Sequence, residues 1–312
     1  MFRDYPAANL DTHVVSGDSA MISSVAVIAP GAMGSAVAYR LSEHGIHVLT
    51  SLRGRGPQTL RRAAAAKMQD ADDDAIARAD VILSILPPAE ALALAERFAV
   101  PLSRVQRKAT FVDCNAVNVE TVLRISSIIE PTGASFVDGS IIGPPPGPQG
   151  GPTFYFSGSA AKELAAFEGL GLKVRIMEAP IGAASALKMA YAGINKGITL
   201  LVTAMVLGAA RAGAADALHE ELAESQRGLL DRMAHTIPDM FPKAYRWGPE
   251  MEEIAGFLAD DPTTSRIYRE LATLCRRFAT DCSGEGVEIA RLNKFLSCSP
   301  CRPAAARPAR DL

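Results

Sequence analysis

Short apolar runs alternate with longer amphipathic stretches through the first 180 residues. Val25-Ala-Val-Ile28 reads as a buried strand, and residues 35–44 read as a helix. The same alternation continues with strands at Ile46-His-Val-Leu-Thr50, Val81-Ile-Leu-Ser-Ile-Leu86, Thr110-Phe-Val-Asp113 and Ala134-Ser-Phe-Val-Asp138. Helical stretches at 57–67, 90–99 and 117–129 separate them, and Pro87-Pro88 stops the strand at 81–86. Strand and helix in alternation predict an α/β fold, a doubly wound parallel sheet wrapped by helices. Gly143-Pro-Pro-Pro-Gly-Pro-Gln-Gly-Gly-Pro152 is a dense loop of breakers, and late strands follow at 153–157 and 173–177. Near Pro180 the pattern changes. Residues 183 to about 215 form one Ala-rich apolar helix, and helical periodicity runs to about 296, with Pro238, Pro242, Pro249 and Pro262 read as breaks. The expected organisation is an extension at 1–21, a sheet domain at 22–180, an all-α domain at 181–296 and a flexible tail at 297–312. No internal repeat is evident.

The turn after the first strand carries the first chemistry. Val25-Ala-Val-Ile-Ala-Pro-Gly-Ala-Met-Gly34 places Ala29, Gly31 and Gly34 at the three positions of the Gly-x-Gly-x-x-Gly fingerprint. This order brings a helix N-terminus to the end of a parallel strand, where a pyrophosphate can sit, as in a Rossmann-type domain. The second glycine admits phosphate to the backbone, and the third admits close helix packing. Ala29 replaces the first, and Pro30 biases it toward extended backbone, where no positive φ is needed. Pro30, Gly31, Ala32, Met33 and Gly34 are therefore candidate dinucleotide contacts. An NAD site carries an acid after the next strand for the ribose 2′-hydroxyl. Here Ser51, Arg53 and Arg55 stand there, with no acid between His44 and Asp70. Guanidiniums match phosphate oxygens, so NADP(H) is expected over NAD(H).

Bulk properties narrow the partners. The chain has 312 residues, 48% of them hydrophobic, and a formal net charge of −2. Neither a nucleic acid nor an anionic membrane surface is implied. Five cysteines form no disulfide framework, Cys298 and Cys301 lack a second pair, and the five histidines lack metal-ligand spacing. No metal is expected, and a reducing, cytoplasmic compartment fits. Residues 1–21 carry Asp4, Asp11 and Asp18 and lack the long apolar core of a signal peptide. Residues 197–210 are too short an uncharged run to span a bilayer. They are apolar on nearly all sides, which predicts burial all round and a homodimer through the helical domain. The acidic turn at 70–74 reads as a solvated helix start. Glu252 and Glu253 read as a solvated face, and Tyr245, Trp247 and Met251 as core.

Lys188 lies early in the long apolar helix. Tyr191, Ala192, Asn195 and Thr199 fall near its face at 100° per residue. A partly desolvated lysine has a lowered pKa and serves as a general acid or base near neutrality. Lys196 projects elsewhere and reads as a snorkelling lysine.

Five motifs in order resemble the β-hydroxyacid dehydrogenases, which include 6-phosphogluconate and 3-hydroxyisobutyrate dehydrogenases. They are Ala-Pro-Gly-Ala-Met-Gly34, Ile-Leu-Ser-Ile-Leu-Pro-Pro88, Asp-Cys-Asn-Ala116, Asp-Gly-Ser-Ile-Ile-Gly143 and Gly182-x-x-x-x-x-Lys188. The resemblance spans residues 22–296. It is nearest a less characterised branch sharing Leu-Thr-Ser-x-x-Gly-Arg55 and Leu-Lys-Met-Ala-Tyr-Ala-Gly193. It implies a catalytic role for Lys188 and contact of Asn115 with nicotinamide and substrate. It also implies that Leu86 and Pro87 lie under the nicotinamide ribose and that residues 139–143 form a substrate loop. Ser140, Ile142, Gly143, Asn115, Tyr191 and Asn195 are the candidate substrate contacts. Lys188 would exchange the hydroxyl proton as hydride moves to or from the cofactor. Two departures stand out: Ile142, Gly143 and Pro144 replace the family's Ser-Gly-Gly, and Ala192 replaces its Asn. Both imply a substrate less polar around the reacting carbon, or one held by the second domain. An imine reductase of the same architecture, which usually places Asp or Tyr where Lys188 stands, and a dinucleotide-binding protein without turnover are the alternatives.

Overall fold

The computed structural model describes residues 22–148 and 150–297. The tail cysteines Cys298 and Cys301 lie outside these residues. The strands are β1 (Ser24–Ile28), β2 (His47–Thr50), β3 (Gln69–Asp70), β4 (Val81–Ser84), β5 (Thr110–Asp113), β6 (Phe136–Ile142), β7 (Thr153–Ser157) and β8 (Lys173–Ile176). They form one sheet in the order β3-β2-β1-β4-β5-β6-β7-β8. β1 to β6 run parallel, β7 runs antiparallel to β6, and β8 follows β7 in parallel. The chain leaves β1 toward β2 on one side and returns to β4 on the other. The crevice of such a sheet opens between β1 and β4, at their carboxyl ends.

Alternate residues of β1 feed opposite faces. Val25 and Val27 join a core with Leu41, Phe154, Phe156 and Phe167, while Ala26 and Ile28 join Phe98, Phe111 and Ile125. The first core lies under α1 (Ala32–Glu43) and α2 (Pro57–Ala65). The second lies under α3 (Asp73–Ile76), α4 (Ala91–Arg104) and α5 (Val119–Ile129). The acidic turn is a helix start as expected, with the Asp72 carboxylate accepting from Ala75 N at 2.8 Å. β6 runs four residues past the expected strand. Gly139 permits this, because a Cβ there would stand 2.8 Å from Cys114 Sγ and 3.1 Å from the Asp113 carbonyl oxygen.

After β8 every element is helical: α6 (Ala183–Arg211), α7 (Ala215–Ser225), α8 (Arg227–Met240), α9 (Ala244–Phe257), α10 (Pro262–Ser283) and α11 (Val287–Leu296), with one 3₁₀ turn at Phe241–Lys243. Met189, Leu200, Leu207, Met233, Ile237, Met251, Cys275 and Phe278 build their core. Pro238 and Pro249 lie inside α8 and α9 rather than breaking them. Each removes one helical hydrogen bond, which the burial of Ile237, Met240, Met251 and Ile254 outweighs.

Further expectations change. In the single chain α6 leaves Tyr191, Ile194, Leu201 and Met205 exposed. At 29 residues it is also long and apolar enough to cross a membrane, a test the shorter 197–210 run did not meet. Tyr245 is exposed rather than core. Lys196 is no snorkelling lysine, because it pairs with Glu250 and lies 5.4 Å from the centroid of the Trp247 ring. Glu253 is half-buried and ties α9 to α5, accepting from Asn118 N at 3.0 Å and Asn118 Nδ2 at 2.9 Å. Asn118 in turn caps α5 through Thr121 N.

Candidate active site

The glycine turn has the shape a dinucleotide requires. Gly31 caps α1 with φ −73°, so no unusual backbone demands glycine there. A Cβ at Gly31 would meet nothing within 4 Å, which leaves open space beside the backbone at this turn. Gly34 is needed for the opposite reason, since its Cβ would stand 2.1 Å from the Ala29 carbonyl oxygen. Ala29 itself takes no positive φ. The α1 N-terminus has no side-chain cap and no acid in its first turn, which leaves its N–H groups and positive dipole end for an anion. Pro30, Ala32 and Met33 complete this turn.

Beyond β2 the surroundings are richer than the sequence suggests. Ser51 is buried, and its hydroxyl accepts from Arg97 of α4 at 2.8 Å. Arg97 is held by both oxygens of Asp73. Asp70, distant in sequence, sits beside Thr50 in register, and its carboxylate accepts from Leu52 N at 2.8 Å. The strand end therefore has an acid at hand after all, although one oxygen is engaged by the backbone. Ser51, Arg53, Asp70, Asp73 and Arg97 line a cleft of 600 Å³. Arg53 is exposed at its mouth, and Arg55 is half-buried. Arg97 was missed because nothing local in α4 marks it.

At the end of β4, Leu86 is half-buried and Pro87 exposed. Asn115 is 2% exposed and does not reach outward to a ligand as expected. Its Oδ1 accepts from Leu86 N at 2.5 Å, and its Nδ2 donates to Ser84 Oγ at 2.7 Å and to Asp113 Oδ1. Both amide hydrogens are committed. Asn115 sets the position of Leu86 and Pro87 and retains one lone pair for further contact.

Lys188 meets β6. Its Nζ donates to the Ile141 carbonyl oxygen, and burial lowers its pKa from the ordinary lysine value, against a smaller upward pull from the neighbouring Cys114. Burial raises the Cys114 thiol well above its usual range. Ser140 is also not a substrate group, because its buried hydroxyl donates to the Ala184 carbonyl at 2.6 Å. Ile142 is half-buried, and Gly143 is exposed with φ 126°. Tyr191 is half-exposed. Asn195 is committed elsewhere: Nδ2 donates to the Tyr191 carbonyl, and Oδ1 accepts from Arg232 of α8 at 2.7 Å. Lys188 thus meets Ile141 at β6, and Asn195 faces α8 instead.

Residues 24–170 match the NAD binding domain of 6-phosphogluconate dehydrogenase. Through this domain the chain is similar to the β-hydroxyacid dehydrogenases. Residues 209–278 match a domain of unknown function, DUF1932. An uncharacterised 28.5 kDa protein of Methanothermus fervidus is 25% identical over 216 residues, 68% of this chain and 82% of that protein. A solved protein of unknown function, described as structurally similar to 3-hydroxyacid dehydrogenases, is 27% identical with a TM-score of 0.63, covering 82% of this chain and 99% of that one. The 3-hydroxyisobutyrate dehydrogenase of Mycobacterium tuberculosis shares 17% identity and the fold, with a TM-score of 0.62 over 88% of this chain and 99% of that one.

The sheet also carries a buried polar row that the sequence reading missed. Ser84, Asp113, Asp138 and Ser157 stand in register across β4, β5, β6 and β7, all 0% exposed. Asp113 Oδ2 is buried without a hydrogen-bond partner among the described residues. Burial, then the neighbouring Asp138, pushes the Asp113 carboxyl up to about 7, while hydrogen bonds from Asn115 and Ser84 oppose the shift. The available signal was the repeated tripeptide Phe-Val-Asp, at 111–113 and 136–138, which closes two apolar strands with an acid.

Proposed function

We propose that this chain is an NADP(H)-dependent oxidoreductase acting on a hydroxyl/carbonyl pair, with Lys188 as general acid and base. The observation that carries this reading is the desolvated Lys188 amine, held on the Ile141 carbonyl at the carboxyl end of the parallel strands, the end that also bears the glycine turn. A bound nicotinamide supplies or accepts the hydride. In reduction, the Lys188 ammonium gives its proton to the carbonyl oxygen as the carbon gains hydride. In oxidation, the neutral amine takes the hydroxyl proton. Pro30 to Gly34 would hold the pyrophosphate, Leu86 and Pro87 the nicotinamide ribose, and Ser51, Arg53 and Arg55 the 2′-phosphate. Arg97 lines the cleft beyond β2 together with Arg53. The apolar Ile142, Pro144 and Ala192 favour a substrate weakly polar around the reacting carbon, and an imine is the second reading they support. The free buried thiols Cys114 and Cys275 support a reducing, cytoplasmic setting.

The test is fluorescence titration with NADPH and NADH, then turnover against ketones, aldehydes, hydroxy acids and cyclic imines. NADPH should bind at least about tenfold tighter, as guanidinium–phosphate pairing predicts. Equal affinities would remove the NADP assignment. Binding without turnover of any substrate would leave a dinucleotide-binding protein, and turnover of imines alone would select the second reading.

We also propose a homodimer through the helical region. Tyr191, Ile194, Leu201 and Met205 fall within about 80° of one another on α6 and form an exposed apolar stripe some ~20 Å long. Leu201→Glu with Met205→Glu should halve the mass measured by light scattering. A wild type already monomeric at micromolar concentration would refute it.

A further inference from the structure

α6 cannot cap its own N-terminus. Gly182 holds the cap position at φ 100°, a left-handed conformation that serine and aspartate caps do not adopt. A side chain there would also crowd Val119, whose Cγ1 lies 3.0 Å from the site of a Cβ. The cap comes instead from another strand. Asp138 of β6 accepts from Gly182 N at 2.9 Å and Ser185 N at 3.0 Å through Oδ2, and from Ser185 Oγ at 2.7 Å through Oδ1. Ser157 Oγ donates to the same Oδ2 at 3.0 Å and accepts from Ala184 N at 3.1 Å.

A buried carboxylate thus meets the positive end of a long helix, a strong pairing in a dry setting. The cap also fixes a distance. From Asp138 to Ile141 the strand advances ~10 Å. From Gly182 to Lys188 the helix advances ~9 Å. With the helix pinned to Asp138 at its start, Lys188 therefore comes level with the Ile141 carbonyl. The Ser140–Ala184 hydrogen bond lies between these two points.

We infer that Asp138 is the positioning residue for Lys188: it docks the α6 N-terminus on β6 so that the amine is held at the Ile141 carbonyl near the end of β6. This rests on the reading of Lys188 as general acid and base, and it assigns Asp138 a role through Lys188 rather than contact with substrate. An asparagine keeps the oxygen that receives both N–H groups. An alanine removes every contact.

The test uses the full chain and the variants Asp138→Ala, Asp138→Asn and Ser185→Ala. Two quantities are read: kcat and KM with NADPH, and the acylation rate of individual lysines by an amine-reactive ester, resolved by peptide mass spectrometry. Lys196, two turns further along α6, is the internal control. Asp138→Ala should lower kcat by about a hundredfold with little change in KM for NADPH, the scale expected from misplacing a reacting group. Lys188 acylation should rise several-fold while that of Lys196 stays constant, and Asp138→Asn should recover most of both losses. Unchanged Lys188 acylation overturns the inference, as does a parallel rise at Lys196, which would mean general loosening. If Asp138→Ala does not fold, Ser185→Ala decides: Lys188 acylation rising alone supports the inference, and unchanged acylation overturns it. A wild type that turns over no substrate defeats the proposed reaction, while the acylation comparison still tests the positioning.

Discussion

Lys188→Met should lower kcat by about 10²- to 10⁴-fold, the range typical of a removed general acid or base, and leave NADPH affinity unchanged. Methionine fills a similar volume with no proton to give. The substitution leaves the Ile141 carbonyl without its donor, a cost of about 1 kcal/mol. That is too little to release α6, which Asp138, Ser140 and Ser157 also hold to the sheet. The proposed cofactor contacts lie on other elements, at the glycine turn and the ends of β2 and β4, so the titration should be indifferent to the change. Lys188→Arg should not restore activity, because a guanidinium keeps the charge but does not deprotonate. The alkaline limb for reduction should fall below the ordinary lysine range, since burial lowers the amine's pKa and the ammonium is the form that donates. Steady-state rates across pH and a fluorescence titration check all of this. A Lys188→Met enzyme with kcat within about threefold of wild type would leave no place for a lysine in the chemistry.

The parts of this molecule written in local pattern were legible in advance. Four-residue apolar runs became buried parallel strands because each has to bury both faces, and Gly34 marked the turn because a Cβ there would strike the Ala29 carbonyl oxygen. The change from sheet to helices near Pro180 was visible as a change of period. Features made by tertiary pairing were not visible. Arg97 reaches Ser51 across 46 positions, and Asp70 comes beside Thr50 only because β3 pairs with β2. Asn115 and Ser140 were read as substrate contacts, but sequence cannot say which way such a polar group points. Both turned inward to join strands or dock a helix. Glu253 behaved similarly: it looked like half of a solvated acidic pair, and the fold placed it on the α5 N-terminus. The exposed stripe of α6 is the converse case, an apolar surface that this chain alone does not cover.

Stability should decline as pH rises from about 4 to about 7, and Asp113 should account for a large share of the decline. Its carboxyl titrates near 3.8 when exposed and near 7 in the fold, with burial the main cause and Asp138 adding to it. Over that interval the native state holds a proton that the unfolded state has lost. Stability therefore falls with rising pH, by ~1.4 kcal/mol for each unit separating the two values, or a few kcal/mol in total. Below 3.8 both states are protonated and the contribution is fully present; above 7 both are ionised and the loss is complete. Asp113→Asn keeps an oxygen to accept from Asn115 Nδ2 and removes the titration. The variant should gain stability over wild type at pH 8 and show a shallower decline from pH 5 to pH 8. Some slope should remain, because burial also raises Asp138, which acts in the same direction. Urea unfolding of both proteins at the two pH values measures the difference. Parallel declines in wild type and variant would mean that Asp113 is already ionised in the folded protein at neutral pH, and the buried row across β4 to β7 would then have to hold two negative charges side by side.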